Sequence, residues 1–197
     1  MTKEDFQNLW NSNFAGSELI SHLFKQNFAE RWFRIHSLPE SKRYADNENE
    51  WEILLSRQNE IITDLFGIDT PVLMVTGEYT SIDNKLFRYI VNEEIFEPFS
   101  FVPLDSIKMH KIDPEQYDEQ VEYRPFFTQI PWKPNSYNNI LREVANDNIR
   151  VFFVSFDVSV IVAPYNGGVD IVVPDRATKE NYTTKYSNWL SDRDDGL

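Results

Sequence analysis

The apolar positions along this chain change their spacing several times, and each change predicts an element. Phe6, Leu9, Trp10 and Phe14 recur at helical spacing, and Thr2 followed by Asp5 is a capping signal. Ala15-Gly16 breaks that pattern, and Ser17 is placed to cap a second helix whose buried stripe is Leu19, Ile20, Leu23, Phe24 and Phe28. Arg31 to Leu38 then reads as a strand ended by Pro39. Side chains alternate along a strand, so Phe33 and Ile35 share one face while Arg34 and His36 share the other. The clearest helix runs from about Glu48 to Phe66, on the period of Trp51, Leu54, Leu55, Gln58, Ile61, Ile62 and Leu65. Asn47 with Glu50 suggests a capping box at its start, and Gly67 a stop at its end.

Pro71 to Thr76 reads as a buried strand. Gly77 to Tyr123 is irregular and yields only an extra strand near Ser106 to Ile112. Glu122 to Ile130 reads as a strand closed by Pro131 and Pro134. Tyr137, Ile140, Leu141, Val144 and Ala145 form an amphipathic helix entered through Asn135 or Ser136. Three short β-rich runs follow, at Ile149–Phe156, Ser159–Ala163 and Val169–Val173. Asn166-Gly167 between apolar runs is a strong hairpin signal, so these runs predict an antiparallel meander. A last helix from about Lys179 to Leu190 would bury Tyr182, Tyr186, Trp189 and Leu190. No repeat or linker divides the chain, which predicts a single domain over residues 1–197. The expected class is α+β: a mixed or mainly antiparallel sheet with helices packed against it, a C-terminal three-strand meander and a final helix.

Charge narrows the partners. With 19 basic and 32 acidic residues, the formal charge is −13, which repels nucleic acid and anionic lipid and can steer a basic protein partner. An aromatic content of 15% argues against disorder. The absence of cysteine removes disulfides, thiolate nucleophiles and Cys-ligated zinc, and suits a reducing cytosol. Residues 1–6 carry no apolar leader, and Val151 to Ala163 is too short and too polar to span a bilayer. A cytoplasmic protein without a membrane partner is therefore expected.

Candidate chemistry is sparse. No phosphate loop, dinucleotide fingerprint, zinc-protease motif or nucleophile elbow occurs, so neither a cofactor nor a catalytic residue is expected. The three histidines, His22, His36 and His110, are far apart and suggest no metal site. One cluster stands out: Arg31, Arg34, His36, Ser37, Ser41, Lys42 and Arg43, rich in bases within an acidic chain. Arg34, His36, Ser41, Lys42 and Arg43 could hold an anion, because guanidinium offers a planar fork of donors. Alternatively, these bases pair with Glu30, Glu40, Glu48 and Glu50 nearby. His36 and Ser37 point to opposite faces and cannot act as a base and a nucleophile together. Pro164 to Asp170 forms a second candidate, with Tyr165 beside the turn and Asp170 able to accept from a ligand or from Arg34. A third is the acidic set Asp113, Glu115, Asp118, Glu119 and Glu122, which could face a basic partner or simply be solvated. The five tryptophans read as core anchors.

The stretch R-W-F-R-I-H-S-L-P-E-S-K-R-Y at Arg31 to Tyr44 resembles the signature of a bacterial family classed only as a domain of unknown function. P-Y-N-G-G-V-D at Pro164 to Asp170 and S-N-W-L-S-D-R-D-D-G-L at Ser187 to Leu197 are similar to its later part. The likeness runs from about Ser21 to the end and implies a small bacterial cytoplasmic protein, with no catalytic residue to carry over. Two functions follow as expectations. The first is a non-enzymatic protein-binding module, such as an immunity-type inhibitor of a basic toxin. The alternative is an enzyme or sensor that binds a small anion or nucleotide at Arg34, His36, Lys42 and Arg43 with Tyr165 or Asp170.

Overall fold

The computed structural model describes residues 1–81 and 93–191. Its frame is an eight-stranded sheet in which every strand pairing is antiparallel. The strands are β1 (Trp32–His36), β2 (Pro71–Ser81), β3 (Val102–Pro103), β4 (Ile107–Lys108), β5 (Val121–Pro131), β6 (Phe152–Ser155), β7 (Val160–Tyr165) and β8 (Gly168–Val172). They run in the order β1-β8-β7-β6-β2-β5-β3, with β4 also on β5. The helices are α1 (Lys3–Asn13), α2 (Phe24–Asn27), α3 (Glu48–Phe66), α4 (Glu93–Phe96), α5 (Met109–Ile112), α6 (Asn138–Ala145) and α7 (Arg176–Lys185). The α+β class, the C-terminal meander and the final helix match the expectation, and the open choice between mixed and antiparallel pairing resolves to antiparallel.

Both faces of the sheet are covered. Phe33, Ile35, Val72, Met74, Trp132, Phe153, Val162, Val169 and Ile171 form one core with Leu54, Ile61 and Ile62 of α3 and Ile140, Leu141 and Val144 of α6. On the other face Leu73, Val75, Phe127, Phe152, Val154, Ile161, Ala163 and Val172 pack under Phe6, Trp10 and Phe14 of the first segment and Phe24 and Phe28 of the second. This explains the unbroken apolar runs of β6 and β7: a strand buried on two sides cannot alternate with polar residues. Trp132 has no exposed surface, and its indole N–H donates to Thr63 Oγ1 at 2.9 Å, joining β5 to α3.

The long periodic helix falls at the expected residues. Asn47 Oδ1 accepts from the Glu50 amide at 3.1 Å, and Gly67 ends the helix with φ of 83°. The box is only half formed, because the Glu50 carboxylate turns to the Asp46 amide and to Lys42 instead. Asn47→Ala is expected to cost about 1 kcal/mol, readable as a lower urea midpoint with an unchanged slope.

Several expectations are corrected. Ser17 caps no helix; its hydroxyl donates to the Glu18 carbonyl and accepts from Asn27 Nδ2, and the chain coils only as a 3-10 turn at Ser21–Leu23 followed by α2. Ile20, Phe24 and Phe28 are nevertheless buried, as the stripe required. The strand sought near Ser106 to Ile112 is two residues of β4 running into the single turn of α5. Neither Asn135 nor Ser136 caps α6: Tyr137 takes the position, without a side-chain bond, and Asn135 two residues before it is left-handed at φ 68°. The last helix begins one turn early because Asp175 Oδ1 accepts from the Thr178 amide. It ends at Lys185, and a 3-10 turn holds Trp189. Gly77 to Tyr123, left largely unassigned by the sequence, extends β2 to Ser81 and adds α4, β3, β4 and α5; residues 82–92 of that stretch lie outside the described residues.

Candidate basic cleft

The strand β1 lies at one edge of the sheet, and its register against β8 sets Arg34 directly opposite Asp170. Opposed side chains on paired strands stand close enough to touch. The Arg34 guanidinium uses both arms, donating from Nε to Asp170 Oδ1 at 2.6 Å and from Nη2 to Oδ2 at 2.9 Å. The same cation lies 4.5 Å from the centre of the Tyr165 ring and 5.5 Å from that of Trp32, within the range of cation–π attraction. Burial pushes the Asp170 carboxyl up, while the bonds and charge of Arg34 pull it back. Burial also pushes the Tyr165 hydroxyl up to about 12, so it stays protonated and can donate.

The hairpin that carries Tyr165 and Asp170 is tied to the loop after β1. Asn166 Nδ2 donates to Asp147 Oδ2 at 2.6 Å and to the Tyr44 hydroxyl at 3.0 Å, and that hydroxyl donates to Asp147 Oδ2 at 2.9 Å. Tyr44 and Asn166 are 122 residues apart in sequence. Gly168 is required here by space: a Cβ on it would stand 2.0 Å from the Ile35 carbonyl oxygen of β1. Arg31–Tyr44 and Pro164–Asp170 therefore form one construction in three dimensions.

This construction is one wall of a cleft of about 580 Å³. The remaining wall comes from His22 and Lys25 around α2, Gln116 and Tyr117 before β5, and Val144, Asp147, Ile149 and Arg150 at the end of α6 and the approach to β6. Four permanent cations line it, Lys25, Arg34, Arg43 and Arg150, against two carboxylates, Asp147 and Asp170. In a chain of charge −13, this is a local surplus of positive charge. Arg43 is exposed, and its charge reaches the Tyr165 hydroxyl.

The residues expected at the site divide. Arg34, Arg43, Tyr165 and Asp170 line the cleft together, whereas His36, Ser41 and Lys42 do not. His36 follows Arg34 on the same face of β1, but it is buried at the strand's end and neither ring nitrogen has a hydrogen-bond partner among the described residues. Burial, reinforced by Arg34, holds it below the ordinary histidine value. Lys42 is taken by acids, at 2.7 Å from both Asp46 and Glu50, which is the ion-pair alternative weighed for it. Ser41 is exposed, with left-handed backbone at φ 55°, next to Glu40 at φ 56°. Lys25, Arg150, Asp147 and Tyr117 were not singled out by the sequence; each is a solitary residue in its segment, and only the fold collects them. Of the acidic set, Asp113 has a structural task, accepting from the amides of Glu115 and Gln116.

Among the described residues no cluster of His, Asp and Glu is placed to hold a metal ion, and no helix is long and apolar enough to cross a membrane. The architecture and the cleft define an α+β protein with a twice-covered antiparallel sheet and a basic recess at its β1 edge. The chain belongs to the family described as domain of unknown function (DUF3885), whose pattern matches residues 20–194. No curated protein and no solved structure matches it.

Proposed function

We propose that this protein binds a small anionic molecule in the cleft between the β1–β8 edge and α2. The observation that carries this reading is the gathering of Lys25, Arg34, Arg43 and Arg150 around one recess of a strongly acidic chain. A recess of this size suits a small metabolite, and its walls combine charged donors with the apolar surfaces of Val144, Ile149, Ala163 and Pro164. Arg34 is a poor candidate for free movement, since Asp170 and two rings fix it; it presents a preset edge to the ligand. Arg43 is the exposed arm that can close over an anion.

Inorganic phosphate should raise the thermal midpoint of the wild type more than that of Arg43→Ala. Comparing the two proteins removes the general stabilisation that phosphate gives any fold. Without phosphate the variant should stay within about 0.5 kcal/mol of wild type, because Arg43 is a surface side chain. Equal phosphate shifts in both proteins would refute the assignment.

A second reading is supported by charge alone. With four cations drawn into the cleft, the remaining surface carries an even larger acid excess, which would speed association with a basic protein such as the toxin of an immunity pair. Such a partner would be captured from the source cell at low ionic strength and released as salt rises.

A further inference from the structure

His36 is a titratable group that the cleft does not use. It is the last residue of β1 and is 6% exposed. A neutral imidazole carries one donor and one acceptor nitrogen. Here both nitrogens are buried, and neither has a hydrogen-bond partner among the described residues. A neutral ring tolerates that shelter far better than an imidazolium, which has a donor at each nitrogen and a full charge.

The charged groups that act on the ring are both cations. Arg34 stands two residues before it on the same face of β1. Arg57 reaches it from α3, donating from Nη1 to the His36 carbonyl at 3.0 Å. From the hairpin comes only the Gly167 carbonyl, which already accepts from the Ser37 amide at 3.2 Å. On the neighbouring strands, Asp170 is held by both arms of Arg34, and Tyr165 keeps its proton. Among the described residues no carboxylate is set against the ring to balance a positive charge.

The place of the ring in the sheet shows where relief lies. β1 is an edge strand of five residues that pairs with β8 alone. His36 stands opposite Gly168, where a Cβ would lie 3.2 Å from the His36 Cα. Gly168 has no side chain to swing aside, so water reaches the ring from that side when the end of β1 parts from the hairpin. Strand ends at a sheet edge open at far lower cost than the whole fold.

We propose that His36 is an acid-sensitive latch on the edge of the sheet: when the ring takes up a proton, the end of β1 parts from the β7–β8 hairpin and the charge meets water. Burial first, then Arg34, hold the closed ring below the ordinary histidine value, with Gly167 pulling it up and Arg57 pulling it down. In the parted state the ring returns toward about 6.5. Closure is therefore fully favoured above the parted-state pKa and is lost as pH falls through it. The loss levels off below the closed-state pKa, where both forms carry the proton. Tyr165 and Asp170 ride on the same hairpin, so one wall of the cleft loosens in that window, with or without a ligand.

Hydrogen exchange on the full chain, divided by the intrinsic rate at each pH, reads the latch. The Ser37 amide should open several-fold more often at about pH 5.5 than at about pH 7.5, with a limit of about tenfold for each pH unit. The Val173 amide, bonded to the Arg31 carbonyl at the other end of the same ladder, should change little. His36→Gln keeps a donor and an acceptor but cannot be charged, so in it the Ser37 dependence should vanish. An unchanged dependence in that variant, or equal responses of Ser37 and Val173 in the wild type, would overturn the latch. His22 is also held below the ordinary value, so His22→Gln is the control. It should leave the Ser37 response intact, and loss of the response there would move the effect to His22. If His36→Gln does not fold, the wild type still decides. Followed by NMR, the His36 ring should titrate below the ordinary histidine value, with the signals of Ser37 and Gly168 moving at the same pH. A ring that titrates at or above that value, or one that titrates while those neighbours stay still, sinks the proposal.

Discussion

Arg34→Ala is expected to lower stability by about 3–5 kcal/mol, because it leaves the Asp170 carboxylate buried without its partner. The same change removes the cation that lies between Trp32 and Tyr165, so those rings lose their contact as well. Ligand binding should disappear with it. A paired replacement, Arg34→Met with Asp170→Leu, separates the two losses. Removing both charges together spares the orphaned carboxylate, so stability should return to near the starting value. Anion binding should not return, since the preset donors are gone. Arg34→Lys keeps the charge but not the fork, and should fall between wild type and alanine in both respects. Denaturant midpoints and calorimetric titration of the same four proteins provide the check. A midpoint for Arg34→Ala within error of wild type would contradict the assigned weight of the pair.

The second large effect is expected at a glycine. In Gly168→Ala the new methyl would stand 2.0 Å from the backbone oxygen of Ile35, a position it cannot occupy. The obstacle is backbone of the neighbouring strand, so no side chain can swing away. Either β1 separates from β8 or the hairpin shifts, and the expected cost is about 3 kcal/mol, at the upper end for overfilled sites. Gly167→Ala is the natural control. Its methyl would meet the end of the Tyr165 ring at 2.8 Å, and a ring can rotate. It should cost less stability than Gly168→Ala while moving Tyr165 against Arg34. Thermal melts of both variants test the contrast, and a Gly168→Ala midpoint no lower than that of Gly167→Ala would refute it.

Much of the frame was legible because several local signals agreed. The helix from Glu48 to Phe66 shows a long period, a capping asparagine and a terminating glycine, and all three point to the same ends. The meander was marked by Asn166-Gly167 between apolar runs. Where one signal stood alone, it failed. Ser17 resembles a cap, but its hydroxyl is taken by Glu18 and Asn27, and the aromatic stripe after it is buried by two short turns rather than one helix. The interval from Gly77 to Tyr123 had no period to read, because β3 and β4 are only two residues each and pair with a strand beyond them in the chain.

At the cleft, alternation placed Arg34 opposite the face of Phe33 and Ile35, and the turn residues placed Tyr165 and Asp170. The meeting of these groups follows from the pairing of β1 with β8, which joins residues 136 positions apart. Period alone put His36 on the same surface as Arg34. It could not show that the strand ends there under cover, against Gly168. Lys42 looked like a donor until the loop folded it onto Glu50, eight residues later. Lys25 and Arg150 carry no pattern of their own, and nothing local marks them as neighbours of Arg34.

The family pattern begins at residue 20, yet Phe6, Trp10 and Phe14 lie before it and are buried. Phe6 stacks on Phe127 at 4.6 Å, and Trp10 sits 6.1 Å from Phe152. The matched region is therefore smaller than the core on that face of the sheet, to which the first segment contributes. A relative built from the matched region alone would leave a floor of phenylalanines open to water, a liability few proteins tolerate, and would need a roof of its own making over that half of the sheet.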